Sequence, residues 1–446
     1  MATLPSDKAP LASSRRRWRF VPAIGATFAA FASAAFAWVY LLDEPLQDDS
    51  DLLVSLHPVP DAQNGYVQLR KIDPKLLDFD GFAEKFGASQ DTISDASKGD
   101  FHSSPVIAAF LAQAQPAFTQ LDACLAQPYF QFPGAYELVA ERPEFDLAEK
   151  AIGALNISAR QAEALGNLAA ATRDIVRLRQ FARRLAEGNL PAIGVVIATY
   201  ANNRATPVFI GLYNDPALTP SEVSELTASY NQEINWRAAL QRAYMQEYHS
   251  FLTLIAPSQA VLSNHRIASL GLTGRLKSAL YALYICHPNA TRNQAAAYYR
   301  SLRHDLYGPY VNFDPSKLED FPPFQLRGNP RYWIFLPNVL GRSELAIQFS
   351  NTGGEEINAV YDATACDRLT LVGLALRRYY NDHGTLPTTL AKLVPDYIPA
   401  IPLDPFNDQP LRFDPAHERV SSVGSDQATL EFHLTFPQSV TQSKTQ

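Results

Sequence analysis

Apolar residues recur at steps of three or four between Ser158 and Glu187, where Leu165, Leu168, Thr172, Ile175, Leu178, Phe181 and Leu185 form one stripe. That period predicts an amphipathic helix with one buried face. Arg173, Arg177 and Arg184 run along another side and read as a solvated face. Gly188-Asn189, followed by Pro191, stops the helix, and Ile193 to Ala201 reads as a partner behind a short turn. Thr219-Pro220-Ser221-Glu222 is the strongest local start signal: Thr219 can cap, Pro220 suits the first helical position, and Glu222 closes a capping box. The helix that begins there carries Leu226, Tyr230, Ile234, Tyr244, Tyr248 and Leu252 toward Ile255, with a break expected near Trp236. Such an aromatic stripe reads as core packing rather than a ligand groove.

Further helices are expected from Pro105 to Gln127, Leu276 to Cys286, Arg292 to Arg303 and Ala359 to Asp382, the last stopped by His383-Gly384. From Asp305 to Glu356 the chain turns rich in Pro, Gly and aromatics and reads as a long irregular connection. Beyond the last helix the period shortens to two: Leu411 to Phe413, Arg419 to Val423 and Thr429 to Leu434 alternate as short strands.

One stretch has no polar face at all. Phe20 to Leu42 contains no charge, and at about 1.5 Å per residue it is long enough for a hydrocarbon core of roughly 30 Å. Arg15-Arg16-Arg17-Trp18-Arg19 precedes it, and Asp43, Glu44, Asp48, Asp49 and Asp51 follow. Positive charge stays on the cytoplasmic side, so the expectation is a single-pass helix in a bacterial inner membrane with the C-terminal part periplasmic. A cleaved signal peptide is the competing reading, because Ala35-Phe36-Ala37 has a small-x-small form; either way the body is exported.

Charge sharpens this picture. The chain of 446 residues has a formal net charge of −7, of which residues 1–19 contribute +4, leaving −11 for the remainder. An acidic body without a Lys/Arg run excludes nucleic acid as a partner. Cys124, Cys286 and Cys366 lie far apart with no zinc-type spacing, and all three read as buried small hydrophobes. The expected organisation is a cytoplasmic tail over 1–19, a transmembrane helix over 20–42 and a linker over 43–60. A mainly helical exported domain then covers 61–356, followed by a small α+β module over 357–436 and a disordered tail over 437–446.

The only recognisable motif lies in that last module. Tyr379-Tyr380-Asn381-Asp382-His383-Gly384-Thr385-Leu386-Pro387 ends the helix, followed by Leu403-Asp404-Pro405-Phe406, Pro410-Leu411-Arg412-Phe413 and Ser422-Val423-Gly424-Ser425-Asp426. This order resembles the C-terminal half of the major pseudopilins of type II secretion. The resemblance implies a long helix packed on a short antiparallel sheet, and a calcium loop in which Asp426 matches the first acid. Here Gln427 follows Asp426 and no second acid aligns, which makes Asp426 a weak metal candidate, since calcium takes six to eight oxygens. Asp404, Asp408 and Asp414 read as turn formers. The exported part as a whole is similar to a group of uncharacterised bacterial membrane-anchored proteins, whose Asn-Pro/Gly-Arg stretch corresponds to Pro337-Asn338-Val339-Leu340-Gly341-Arg342.

No Gly-x-Ser-x-Gly elbow, His-Glu-x-x-His helix, P-loop or dinucleotide fingerprint is present. No catalytic residue and no cofactor are assigned. Cys286-His287 before Pro288 reads as a helix end, and Glu355-Glu356 as a loop or a helix N-terminus. The expected function is a membrane-anchored periplasmic scaffold that contacts an envelope protein; the alternative is an exported hydrolase with a site assembled from distant residues.

Overall fold

The computed structural model describes residues 26–35, 42–54, 59–89, 95, 101–131, 143–260, 287–306, 310, 313, 338, 341–343, 345, 354–425 and 428–435. The chain divides into two compact units. One comprises Met1–Asp48, Ile255–Ala295 and Phe321–Ser350, and the other Asp49–Leu254, Ala296–Asp320 and Asn351–Gln446.

The larger unit is built from helices. They are α1 (Pro105–Leu125), α2 (Pro143–Ala164), α3 (Leu168–Glu187), α4 (Ala192–Asn214), α5 (Pro220–Tyr230), α6 (from Trp236, ending at Ala260), α7 (Pro288–Asp305) and α8 (Gly354–His383). The first three-quarters of α6 and the second half of α7 belong here, their remaining turns to the other unit. Local chemistry sets the boundaries. Ser104 caps α1 ahead of Pro105, and Asn167 caps α3 through Ala170. The Thr219 capping box at α5 forms as expected, with Glu222 returning the bond to the Thr219 N–H.

The single helix read from Ser158 to Glu187 is in fact two. Gly166 adopts φ +70, which L side chains rarely take, and ends α2 one residue before the Asn167 cap. Leu165 therefore leaves the stripe and is 66% exposed, whereas Leu168, Ile175, Leu178, Phe181 and Leu185 are buried. The partner helix is longer than Ile193 to Ala201, running through Pro207 to Asn214 because Phe209, Leu212 and Tyr213 are all buried. The expected break before Trp236 falls at residues 231–235. The helix expected from Leu276 to Cys286 lies outside the described residues.

Helix α4 is central, packed against α2, α3 and α8. Helix α8 is buried on most sides, which suits a core helix rather than an amphipathic one: α4 and α5 cover one part of it and the sheet another. Glu355 and Glu356 stand in its first turn, where the helix dipole favours acids. The sheet is antiparallel in the order β1 (Arg412–Asp414), β2 (Arg419–Ser425), β3 (Ala428–His433), with Phe413 opposite Val420 and Val420 opposite Phe432. Phe432 lies 6.4 Å from the Phe209 ring, and Tyr213 Oη donates to the His433 carbonyl at 2.5 Å, so the sheet is tied to the helical core. The fold is mainly helical with a small sheet, as the sequence predicts.

In the smaller unit, the Asp43 carboxylate accepts the Asn289 and Ala290 N–H groups at the start of α7. Pro288 opens α7; the helix end expected at Cys286 lies outside the described residues. Asn338 accepts from the His287 N–H at 2.8 Å and donates to Thr291 Oγ1 at 2.9 Å. A Cβ at Gly341 would meet Thr291 Oγ1 at 1.9 Å, so Asn338 and Gly341 of the Pro337–Arg342 stretch serve close packing around a helix start. Residues 26–35 form a helix exposed along its length, with Phe28 and Phe31 each 76% exposed. Among the described residues no helix is long and apolar enough to cross a membrane; the rest of 20–42, apart from Leu42, lies outside them.

Candidate binding cleft

Four helices of the larger unit contribute polar side chains to one buried point. Arg179 from the middle of α3 is 2% exposed, and its Nη1 donates to Asp367 Oδ1 of α8 at 2.5 Å and to Asn202 Oδ1 of α4 at 2.7 Å. Asn202 Nδ2 donates to the same Asp367 oxygen at 2.8 Å, and Trp236 Nε1, at the start of α6, donates to Asp367 Oδ2 at 2.8 Å. Asp367 thus has both oxygens occupied by three donors. The Tyr230 ring, the last residue of α5, lies under the Arg179 guanidinium at 4.7 Å, a cation–π geometry.

A buried ion pair gains Coulomb energy in a low dielectric but costs desolvation of both charges, and it persists only when hydrogen bonds satisfy the remaining polar atoms. The acid meets that condition and the base does not. Nε and Nη2 of Arg179 are buried and have no partner among the described residues.

The network forms one side of a cleft of about 640 Å³. Its described lining combines Arg179, Tyr230, Ile234, Arg237, Leu371 and Leu403 with the acids Glu233, Asp367 and Asp408. Arg368 Nη1 donates to the Leu403 carbonyl at 2.7 Å and Arg368 pairs with Glu233 at 3.6 Å, while Arg237 stacks over Tyr361 at 4.5 Å. One wall comes from the turns that follow α8, including Pro399, Pro402 and Leu403. Those turns are fixed by Asp404, which is 1% exposed and accepts from the Phe406 N–H, Ser422 Oγ and the Val423 N–H. Asp404 is a turn former, as read from sequence.

Burial dominates the titration of groups nearby. It pushes the Cys366 thiol, next to Asp367, up to about 12, with Asp367 and Asp362 adding to the effect. Burial likewise raises the Cys124 thiol to about 11. Both are free, buried thiols and stay neutral, which makes them poor nucleophiles. The Tyr230 hydroxyl is raised well above its usual range by the same cause.

The remaining sequence candidates do not converge on this cleft. Asp426 lies outside the described residues, as do Cys286 and His265. Asp414 is engaged by His417 at 2.7 Å near the sheet surface. Among the described residues, no group of three or more His, Cys, Asp or Glu is placed to hold a metal ion. The arginine line of α3 proves only partly solvated: Arg177 pairs with Asp122 of α1 at 2.6 Å and with Asp174 at 2.9 Å, and Arg184 donates to the Leu125 and Gln127 carbonyls. Arg179 stands off that line, on the apolar side beside Leu178. The available signal for the site was a charged residue at a core position: Ala363 and Thr370, one helical turn either side of Asp367, are buried.

Compared with known proteins, the chain matches no protein-family model, no curated protein and no solved structure.

Proposed function

We propose that this protein is a single-pass inner-membrane protein whose exported body acts by binding an envelope component, with the cleft beside Arg179 as its contact site. The observation that carries the binding reading is the commitment of the cleft's buried acid: Asp367 is held by three donors, so using it as a general base would break bonds the fold relies on. The described lining also contains no His, Cys, Ser or Lys that would serve as a nucleophile or its base.

Tethering is supported by the segment 26–35. A helix that turns Phe28 and Phe31 fully outward is unfavourable in water and suits lipid, and it sits between the basic tail and the acidic stretch that starts at Asp43. The layout of α8 on a three-stranded antiparallel sheet agrees with what the pseudopilin resemblance implies, and we carry that resemblance as an architectural reading of residues 357–436.

The test is extraction of membranes bearing the full chain with alkaline carbonate, alongside a form lacking residues 1–42. The full chain is expected in the pellet and the shortened form in the supernatant. Release of the full chain by carbonate, or turnover of ester, amide or phosphoester substrates by the purified protein that Leu371→Trp abolishes, would overturn the proposal.

A further inference from the structure

A guanidinium carries five N–H donors, and the two on Nη1 of Arg179 are taken by Asn202 and Asp367. The other three, on Nε and Nη2, are buried without a partner among the described residues. Asp367 already takes three donors, and neither Nε nor Nη2 of Arg179 bonds to it. Dry, unbonded donors on a cation are costly, and a protein that keeps them beside a cavity has an acceptor to receive there. Nε and Nη2 form the side edge of the planar fork, whose two near-parallel donors match the two oxygens of a carboxylate. Arg237 lines the same cleft and, among the described residues, has no carboxylate within ion-pair distance. The rest of the lining is mixed: Tyr230, Ile234, Leu371 and Leu403 give it an apolar stretch, while Asn231, Asn235 and Thr364 and the charged Glu233, Arg368 and Asp408 give it a polar one.

We propose that the cleft binds an organic monocarboxylate with an apolar body, its carboxylate on Nε–H and Nη2–H of Arg179 and its body against Tyr230, Ile234 and Leu371. A volume of about 640 Å³ suits a small molecule. A bare inorganic anion would leave the apolar walls unused. This inference rests on the reading of the cleft as a binding site and adds the chemistry of what it receives.

The experiment is calorimetric titration of the full chain in detergent with phenylacetate and hexanoate, with the matching alcohols phenylethanol and hexanol, and with inorganic phosphate. Both acids are expected to bind, the alcohols about tenfold more weakly or worse, and phosphate not measurably. Arg179→Lys, which removes the fork but keeps the charge, is expected to weaken the acids about tenfold. Leu371→Trp places a larger ring in the cleft while keeping Arg179 and Asp367 themselves and is expected to abolish binding, which decides the matter even if the Arg179 variant fails to fold. Equal affinity for acids and alcohols would overturn the carboxylate assignment and leave the cleft a binding site. No binding of either, or binding unchanged by Leu371→Trp, would overturn both.

Discussion

Replacing Asp367 by Ala removes the acceptor of three buried donors at once. Arg179 keeps a single bond, to Asn202, and becomes a buried cation without a counter-charge; the Trp236 indole N–H is left unpaired. Breaking a buried pair in this way costs about 3–5 kcal/mol, and an orphaned neutral donor adds about 1 kcal/mol, so a loss of about 4–6 kcal/mol is expected. Arg179→Met should cost somewhat less, because Asp367 retains Asn202 and Trp236. The double variant Arg179→Met with Asp367→Leu removes both charges together and should lie well short of the sum, with a coupling of about 2–4 kcal/mol. Because the chain comprises two units, a single unfolding midpoint is a poor measure. Native-state hydrogen exchange of peptides from α3 and α8 reads the local opening free energy instead. Additivity of the two single variants within about 0.5 kcal/mol would refute the claim that these side chains act as one unit.

Two more predictions concern buried acids elsewhere in the larger unit. Glu247 of α6 is 7% exposed and accepts the Ala192 N–H at the start of α4, and burial, reinforced by Glu356, raises its pKa from 4.5 to about 7. The folded state then holds a proton that the unfolded chain releases, so stability is greatest below about pH 4.5 and falls by about 3 kcal/mol as pH rises to about 7. Glu247→Gln keeps an acceptor for Ala192 and should remove that decline, leaving the variant more stable than the wild type at pH 8; parallel pH profiles of native-state hydrogen exchange in α4 would contradict the assignment. Asp404→Ala strips three bonds from the turn that walls the cleft and should cost about 2–4 kcal/mol, seen as faster exchange in Arg419–Ser425 with α2 and α3 unaffected, whereas uniform loosening would argue against a local latch.

Much of the helical layout was legible because it is local. The α5 capping box, the Gly188-Asn189 stop and the three strands rest on residues adjacent in the chain, and each forms close to where its signal lies. The turn at Gly166 was missed for an instructive reason: Leu165 and Leu168 stay in step with the stripe on both sides of it, so period alone cannot see the break. Helix α4 outran its expected end because Asn202, a weak helix former, is held in the core by Arg179 and Asp367. The Arg179–Asp367 pair itself joins positions 188 apart, and no spacing rule reaches that far. Its trace in the sequence was limited to polar residues on faces that should be apolar. Reading the stripe of Tyr230 as core packing was half the answer, since its ring is buried and also lies under the cation that lines the cleft.

Which molecules can reach the cleft depends on the side of the membrane on which the body lies, and this is the claim most open to a direct test. An alkaline phosphatase fused after Gln446 becomes active only outside the cytoplasm. The account predicts full phosphatase activity in cells carrying the fusion, and little once residues 1–42 are removed. An inactive phosphatase on the full chain, paired with bright fluorescence from a green fluorescent protein at the same junction, would place the body in the cytoplasm and contradict it.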